Sequence, residues 1–388
     1  MDVGSERLKV VYSTDCIRYP LTGIGRYAYE LAKELQRPER NLELLFLHGL
    51  KIGHLLTEPA ESTPSAQSLK RHLKNSKLVS DIYRLTIPTM KSFLLKKRED
   101  AVFHSPNYYI PSGVRRSIAT FHDLSVFHWP QFHPAGRVHL LQKELKNTVN
   151  RATMLITDSE YTKGEISDYF NYDSARIIVA PLACNNDFHP RKECDVRAVL
   201  KQYQLKWRKF FLYTGTIEPR KNIITLLRAY DKLTLQEKLE YPLVISGYKG
   251  WENEALFTLF DKGKSEGWLT YLGYVSGKDL PLLYSAATCF VFPSIYEGFG
   301  LPVLEAMASG TPVICSNATS LPEVVGNAAL MHDPEDVDAL TGYIKSMIYD
   351  DAQYHSMIDR GINQSGLFSW SHCADKTIQA YEQVANFL

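Results

Sequence analysis

The sequence predicts an α/β protein made of two doubly wound parallel-sheet domains that face each other across a cleft. Three observations lead there. Short apolar runs alternate with segments of helical periodicity, the pattern of a parallel sheet with helices on both faces. The alternation pauses around 181–190 and then begins again. At 388 residues the chain is too long to be comfortable as one core and long enough for two.

The first half starts with an apolar run at 8–14 that ends in polar residues, then a loop, a helical pattern at 24–36 and a second apolar run at 42–48. Buried strands follow at 101–105, 117–121, 154–158 and 176–180, with helices at 137–152 and 161–170. After the pause, strands are expected at 210–215, 243–247, 269–273, 288–293 and 312–315, separated by helices at 223–233, 252–263, 278–287 and 302–308. This divides the chain into 1–185, 186–368 and a final helical stretch, 369–388. In open sheets of this kind ligands bind at the carboxyl ends of the strands, so the ligand site is expected between the two domains.

Composition narrows the function classes. Lys+Arg 44 against Asp+Glu 43 leaves a formal charge of +1, without the excess of base that a dedicated nucleic-acid binder carries. The six cysteines, Cys16, Cys184, Cys194, Cys289, Cys315 and Cys373, form no C-x-x-C pair, so neither a zinc site nor a disulfide framework is expected. No basic leader precedes an apolar core at the N-terminus, and no stretch approaches about 18 apolar residues. A cytoplasmic protein is expected, with a peripheral role at the inner face of the membrane left open.

Five segments carry candidate chemistry. Gly23-Ile24-Gly25-Arg26-Tyr27-Ala28 matches a dinucleotide fingerprint nominally, and Glu43 lies 20 residues after Gly23. A loop separates the glycines from the first strand, however, and Glu43 begins the next strand rather than ending it, which argues against a nicotinamide site. The remaining use is a loop whose backbone amides approach an anion. His122-Asp123 sits at the carboxyl end of the 117–121 strand, where either a cleft residue or a structural histidine fits. Ser159 and Thr162 open a helix after another strand, as caps or as contacts to an acceptor. Arg220-Lys221, in Gly-Thr-Ile-Glu-Pro-Arg-Lys-Asn, places two cations at a strand-to-helix junction; cations there are unfavourable beside a helix N-terminus, which argues for an anion partner. Last, Glu297-Gly298-Phe299-Gly300-Leu301-Pro302 folds sharply into a helix that carries Glu305, so two carboxylates bracket a glycine loop.

Together these residues resemble the retaining glycosyltransferases of family 4, which have the GT-B fold of two Rossmann-like domains. The resemblance covers nearly the whole chain, and its most specific part is the Glu297…Glu305 pair with its internal Gly-Phe-Gly-Leu-Pro. It implies a nucleotide-sugar donor held mainly by the C-terminal domain and a saccharide or lipid-linked saccharide acceptor held mainly by the N-terminal one. By family position Glu305 grips the ribose and Glu297 the donor sugar. Arg220 and Lys221 clamp the diphosphate, with Gly23 and Gly25 near the same phosphates. His122 is the active-site histidine; Tyr274, Val275, Phe299, Gly300, Leu301 and Pro302 contact base and sugar; Arg26, Asp123, Ser159 and Thr162 face the acceptor. No cofactor is implied, and the sequence lacks a clear Asp-x-Asp metal site in a matching loop. The Gly-Thr-Ile-Glu-Pro-Arg-Lys-Asn form resembles bacterial mannosyltransferases of surface-polysaccharide assembly, which points to GDP-mannose, with a UDP-sugar as the alternative. A same-fold epimerase would turn over donor without acceptor, and a noncatalytic carbohydrate-binding protein would never release nucleotide.

One segment stands apart. Residues 68–100 carry nine bases, Lys70, Arg71, Lys74, Lys77, Arg84, Lys91, Lys96, Lys97 and Arg98, against three acids, interleaved with apolar residues. This is either an ordinary helix with a solvated basic face or a patch that meets an anionic membrane.

Overall fold

A computed structural model describes residues 7–19, 21, 23–56, 89–133, 135–250 and 254–387. The first sheet takes its strands from β1 (Leu8–Ser13), β2 (Leu42–His48), β3 (Lys51–Gly53), β4 (Val102–Ser105), β5 (Ser117–Phe121), β6 (Met154–Thr157) and β7 (Ile177–Val179), in the order β3-β2-β1-β4-β5-β6-β7. Its principal helices are α1 (Gly23–Leu35), α2 (Ala135–Arg151) and α3 (Glu160–Phe170). The strands are parallel except β3, an antiparallel edge with Leu47 opposite Ile52. β3 was not expected: Lys-Ile-Gly has one apolar residue and no run to detect.

The second unit runs α4 (Glu193–Gln202), β8 (Phe211–Thr214), α5 (Ile223–Asp231), β9 (Leu243–Ser246), α6 (Glu254–Ser265), β10 (Leu269–Gly273), α7 (Leu280–Ala286), β11 (Cys289–Phe292), α8 (Leu301–Ala308), β12 (Val313–Ser316), α9 (Leu321–Val325), β13 (Ala329–His332), α10 (Val337–Tyr349) and α11 (Asp351–Ser365). Its six parallel strands lie in the order β10-β9-β8-β11-β12-β13. β11 shows why the pattern was legible: Cys-Phe-Val-Phe is buried at every position because helices cover both faces. β13 and the helices α10 and α11 extend the second unit beyond the strands and helices expected from sequence.

The order of both sheets decides where ligands can bind. β1 lies between β2 and β4, and β8 lies between β9 and β11, so each sheet reverses direction next to its first strand. At such a switch point the loops leaving neighbouring strands diverge and open a crevice. The loop after β1 leads to Gly23 and Arg26, that after β8 holds Gly215–Asn222, and that after β11 holds Glu297–Gly300. The motif segments thus converge because of strand order, which sequence periodicity does not report.

The final helix, α12 (Trp370–Ala385), leaves the second unit and packs on the first sheet. Tyr381 Oη meets His104 Nδ1 on β4 at 2.7 Å, and Arg40 pairs with Asp375. Arg40 also holds Glu34 of α1 at 2.9 Å. No helix among the described residues is long and apolar enough to cross a membrane.

Candidate active site

A cavity of about 470 Å³ opens between the two sheets. Gly23, Arg26, His122 and Asp123 line it from the first unit. From the second come Arg220, Lys221, Tyr274, Val275, Glu297, Phe299, Gly300, Leu301, Pro302 and Glu305. Residues 279 positions apart in sequence are therefore brought to one wall, as with Arg26 and Glu305.

At its centre is an ion cluster. Lys221 Nζ donates to Glu297 Oε1 at 2.5 Å, Ser294 Oγ donates to the same oxygen at 2.6 Å, and Arg220 Nη1 reaches Glu297 Oε2 at 3.3 Å. Arg220 Nε also meets Glu218 at 2.6 Å. Burial would raise the Glu297 carboxyl, but Lys221 and Arg220 outweigh it and hold the group below the usual carboxylate range. Burial and then the Arg220 charge lower the Lys221 ammonium. Glu297 and Glu218 thus supply anions beside these cations within the chain. Arg220 and Lys221 also occupy a short 3-10 turn, Pro219–Lys221, with Asn222 between it and α5, so they are not the first residues of the helix. Asn222 is left-handed at φ 54° and fixes the loop by donating to the Pro293 and Pro334 carbonyls.

Glu305 is buried on α8, and its Oε1 accepts from Arg26 Nη1 at 2.8 Å across the cleft. Burial lifts its carboxyl to about 7 even though Arg26 pulls the other way. Arg26 was expected toward an acceptor; instead its guanidinium faces the carboxylate expected to hold donor, because α1 directs it there. Gly25 was expected beside phosphates, but its Cα lies against the loop, where an added Cβ would be 3.1 Å from the Cys16 carbonyl, and it does not line the cleft. Gly23 does.

His122 follows β5 and Asp158 follows β6. The parallel register pairs Phe121 with Thr157, so the next residues are neighbours, and His122 Nδ1 lies 2.6 Å from Asp158 Oδ2. His122 Nε2 is 3.2 Å from the Pro106 carbonyl. Both ring nitrogens face acceptors, which favours the imidazolium. Burial opposes that charge, and the Asp158 carboxylate more than offsets it, raising His122 above its ordinary value. Asp123 accepts from Ser125 N at 3.0 Å and Oγ at 2.7 Å.

Ser159 and Thr162 are corrected by the structure. Both are buried, the Ser159 hydroxyl accepts from Thr162 N at the start of α3, and both hydroxyls donate to Gly298 O, at 2.7 Å and 3.3 Å. They join the two units and cap a helix, and they do not line the cleft. Gly298 is pressed so closely on the first unit that an added Cβ would lie 1.6 Å from the His122 carbonyl oxygen. Gly300, at φ 108°, turns the chain into α8, whose first residues, Leu301 and Pro302, line the cavity.

Tyr274 is half exposed and stacks on Tyr248, with ring centroids 5.2 Å apart and planes 22° off parallel. Tyr248, Asp158 and Ser294 were not singled out from sequence. Asp158 had a usable signal, since it ends the next strand expected after that of His122; the others depend on loop packing.

Two family models match: "Glycosyltransferase Family 4" over residues 21–188 and "Glycosyl transferases group 1" over 198–364. The chain is 44% identical over 379 residues to O-antigen chain mannosyltransferase B of Escherichia coli, covering 97% of this chain and 100% of that protein. It is 33% identical to the serotype-specific mannosyltransferase WbdA of Escherichia coli over 60% of this chain and 29% of that one. Among solved structures, sucrose-phosphate synthase of Thermosynechococcus elongatus superposes with a TM-score of 0.71 at 21% identity, over 97% of this chain and 99% of that one. The chain belongs to the family 4 glycosyltransferases of the GT-B fold.

Proposed function

We propose that this cleft moves a mannosyl group from GDP-mannose to a saccharide or lipid-linked saccharide in surface-polysaccharide assembly, with retention of anomeric configuration and without a metal. The choice of mannose is supported by the 44% identity over 379 residues to a protein named as an O-antigen chain mannosyltransferase. The observation that carries the chemistry is the buried Lys221–Glu297–Arg220 cluster beside the start of α8.

Breaking the anomeric C–O bond places positive character on the sugar and negative charge on the departing diphosphate. Lys221 and Arg220 bind that charge more tightly as it develops, which lowers the barrier. Glu297, ionised and fixed by three donors, turns toward donor-sugar hydroxyls, and its engaged oxygens make it a poor nucleophile. We therefore assign same-face attack through a short-lived oxocarbenium ion pair, in which a diphosphate oxygen takes the acceptor's proton. Glu305 accepts from the ribose hydroxyls when Arg26 yields that oxygen, and Tyr274 covers the base. His122, charged through Asp158 and held by the Pro106 carbonyl at Nε2, places a fixed positive charge on the cleft wall beside the donor. Asp123 stands on the acceptor side.

Membrane contact through 68–100 belongs to the same proposal. Residues 68–88 lie outside the described residues. Within the remainder, Lys91 is buried against Asp15 and is removed from the set of surface bases, whereas Phe93 and Met90 are exposed and Lys97 lies over the Phe93 ring. The test of the donor is a thermal-shift panel of nucleoside diphosphates. GDP is expected to stabilise the protein most; stabilisation by UDP and not GDP overturns the mannose assignment.

A further inference from the structure

Beside the cleft lies a second hollow of about 590 Å³, separated from it by the segment 295–297. That segment gives Glu297 to the cleft and Ile295 and Tyr296 to the hollow. The remaining walls come mainly from the first unit: Trp129, Tyr161, Tyr169, Glu165 and Asp168. With His128 beside Glu165, rings and carboxylates therefore surround a solvent-open space, and among the described residues neither Lys nor Arg lines it.

We propose that this hollow is an extended acceptor subsite that holds the sugar units behind the one being glycosylated. This rests on the transfer reading above. Pyranose rings present apolar C–H faces to aromatic side chains and a rim of hydroxyls that donate to carboxylates, and the hollow offers both partners. Trp129 is already held flat by Phe132, with centroids 5.2 Å apart and planes 2° off parallel, so its ring is a fixed platform. Tyr161 and Tyr169 are partly exposed on the helix opposite. A diphosphate would meet Glu165 and Asp168, while the histidine on the wall, His128, already has its Nε2 3.3 Å from Glu165 Oε1, so an uncharged saccharide fits and a phosphorylated lipid head does not.

The hollow is also tied to the reacting centre. Tyr296 Oη donates to Glu165 Oε2 at 2.5 Å and accepts from Leu124 N at 3.0 Å, one residue after Asp123. Thr319, on the wall of the hollow, accepts from the Glu297 backbone N–H at 3.0 Å. A chain seated against Tyr296 thus presses on the segment that carries Glu297. Burial pushes the Glu165 carboxyl up to about 7, which keeps a proton available to share with a sugar hydroxyl.

The test uses the full chain and α-linked mannose mono-, di- and tetrasaccharides without donor, titrated by calorimetry. Affinity is expected to rise at least about tenfold from mono- to tetrasaccharide, and Trp129→Ala/Tyr169→Ala to abolish that gain. In transfer assays the same variant, and separately Glu165→Gln, should raise KM for the tetrasaccharide far more than for the monosaccharide. Equal affinity for all lengths in the wild type, or an unchanged length dependence in the folded variants, overturns the subsite. Length-dependent binding of a glucose or galactose chain in place of mannose keeps the subsite and overturns the mannose reading.

Discussion

Replacing Lys221 with methionine removes one charge from the centre of the cleft while keeping most of the side-chain volume. Two consequences follow from the geometry. Glu297 loses its 2.5 Å partner but keeps Ser294 at 2.6 Å and Arg220 at 3.3 Å, so it is under-compensated rather than bare. Breaking a buried pair costs about 3–5 kcal/mol when nothing else remains, and the two surviving partners place Lys221→Met near the lower end. In catalysis, losing one charge-assisted contact to the leaving group costs about 1.5–3 kcal/mol, a fall in kcat/KM of roughly 10- to 150-fold. Adding Glu297→Gln removes the opposite charge, and should recover much of the lost stability without recovering turnover. The assays are thermal unfolding, calorimetric GDP affinity and kcat/KM for the donor with acceptor saturating. Near-normal turnover and GDP affinity in folded Lys221→Met protein would refute the diphosphate clamp.

Other consequences can be checked singly. Gly298→Ala must separate the two units, because both the new Cβ and the His122 carbonyl are fixed to backbone; we expect at least about a hundredfold loss of activity and a larger radius of gyration in solution scattering. Ser159→Ala loses the cap of α3 and the bond to Gly298 O, which should lower stability by about 1–2 kcal/mol in denaturant titration. The Glu305 carboxyl, raised from 4.5 to about 7, keeps a proton in the folded chain that the unfolded chain has released; its stabilising contribution is complete below pH 4.5 and falls by up to about 3 kcal/mol as pH rises through 7. Melting curves from pH 5 to 8 should therefore fall more steeply for wild type than for Glu305→Gln, and parallel curves contradict the shift. Asp158→Asn should lower the His122 titration midpoint seen by NMR and move the alkaline limb of the rate profile to lower pH. Activity is expected to persist in excess chelator.

Most of the fold was legible because parallel strands buried on both faces are written as continuous apolar runs, as in Phe211–Thr214 and Cys289–Phe292. Short or mixed strands were not: Lys51–Gly53 has no run, and Ala329–His332 is only partly buried. Apart from Gly25, Ser159 and Thr162, the motif residues did converge on one cavity, since chemistry at strand ends can be recognised locally. Partnerships could not be recognised in that way. The approach of Arg26 to Glu305, of Lys221 to Glu297 and of Ser159 to Gly298 depends on how the two units dock, and no local period encodes docking. Ser159 and Thr162 were misplaced for that reason, since a hydroxyl at a helix start looks the same whether it faces a substrate or a neighbouring carbonyl.

The most direct test is the NMR anomeric configuration of the first product formed from GDP-mannose and a mannoside acceptor. The α-linked product, formed with release of GDP, is the result predicted. A β-linked product would contradict same-face attack in the Lys221–Glu297–Arg220 cleft, and transfer from a UDP-sugar with none from GDP-mannose would contradict the donor.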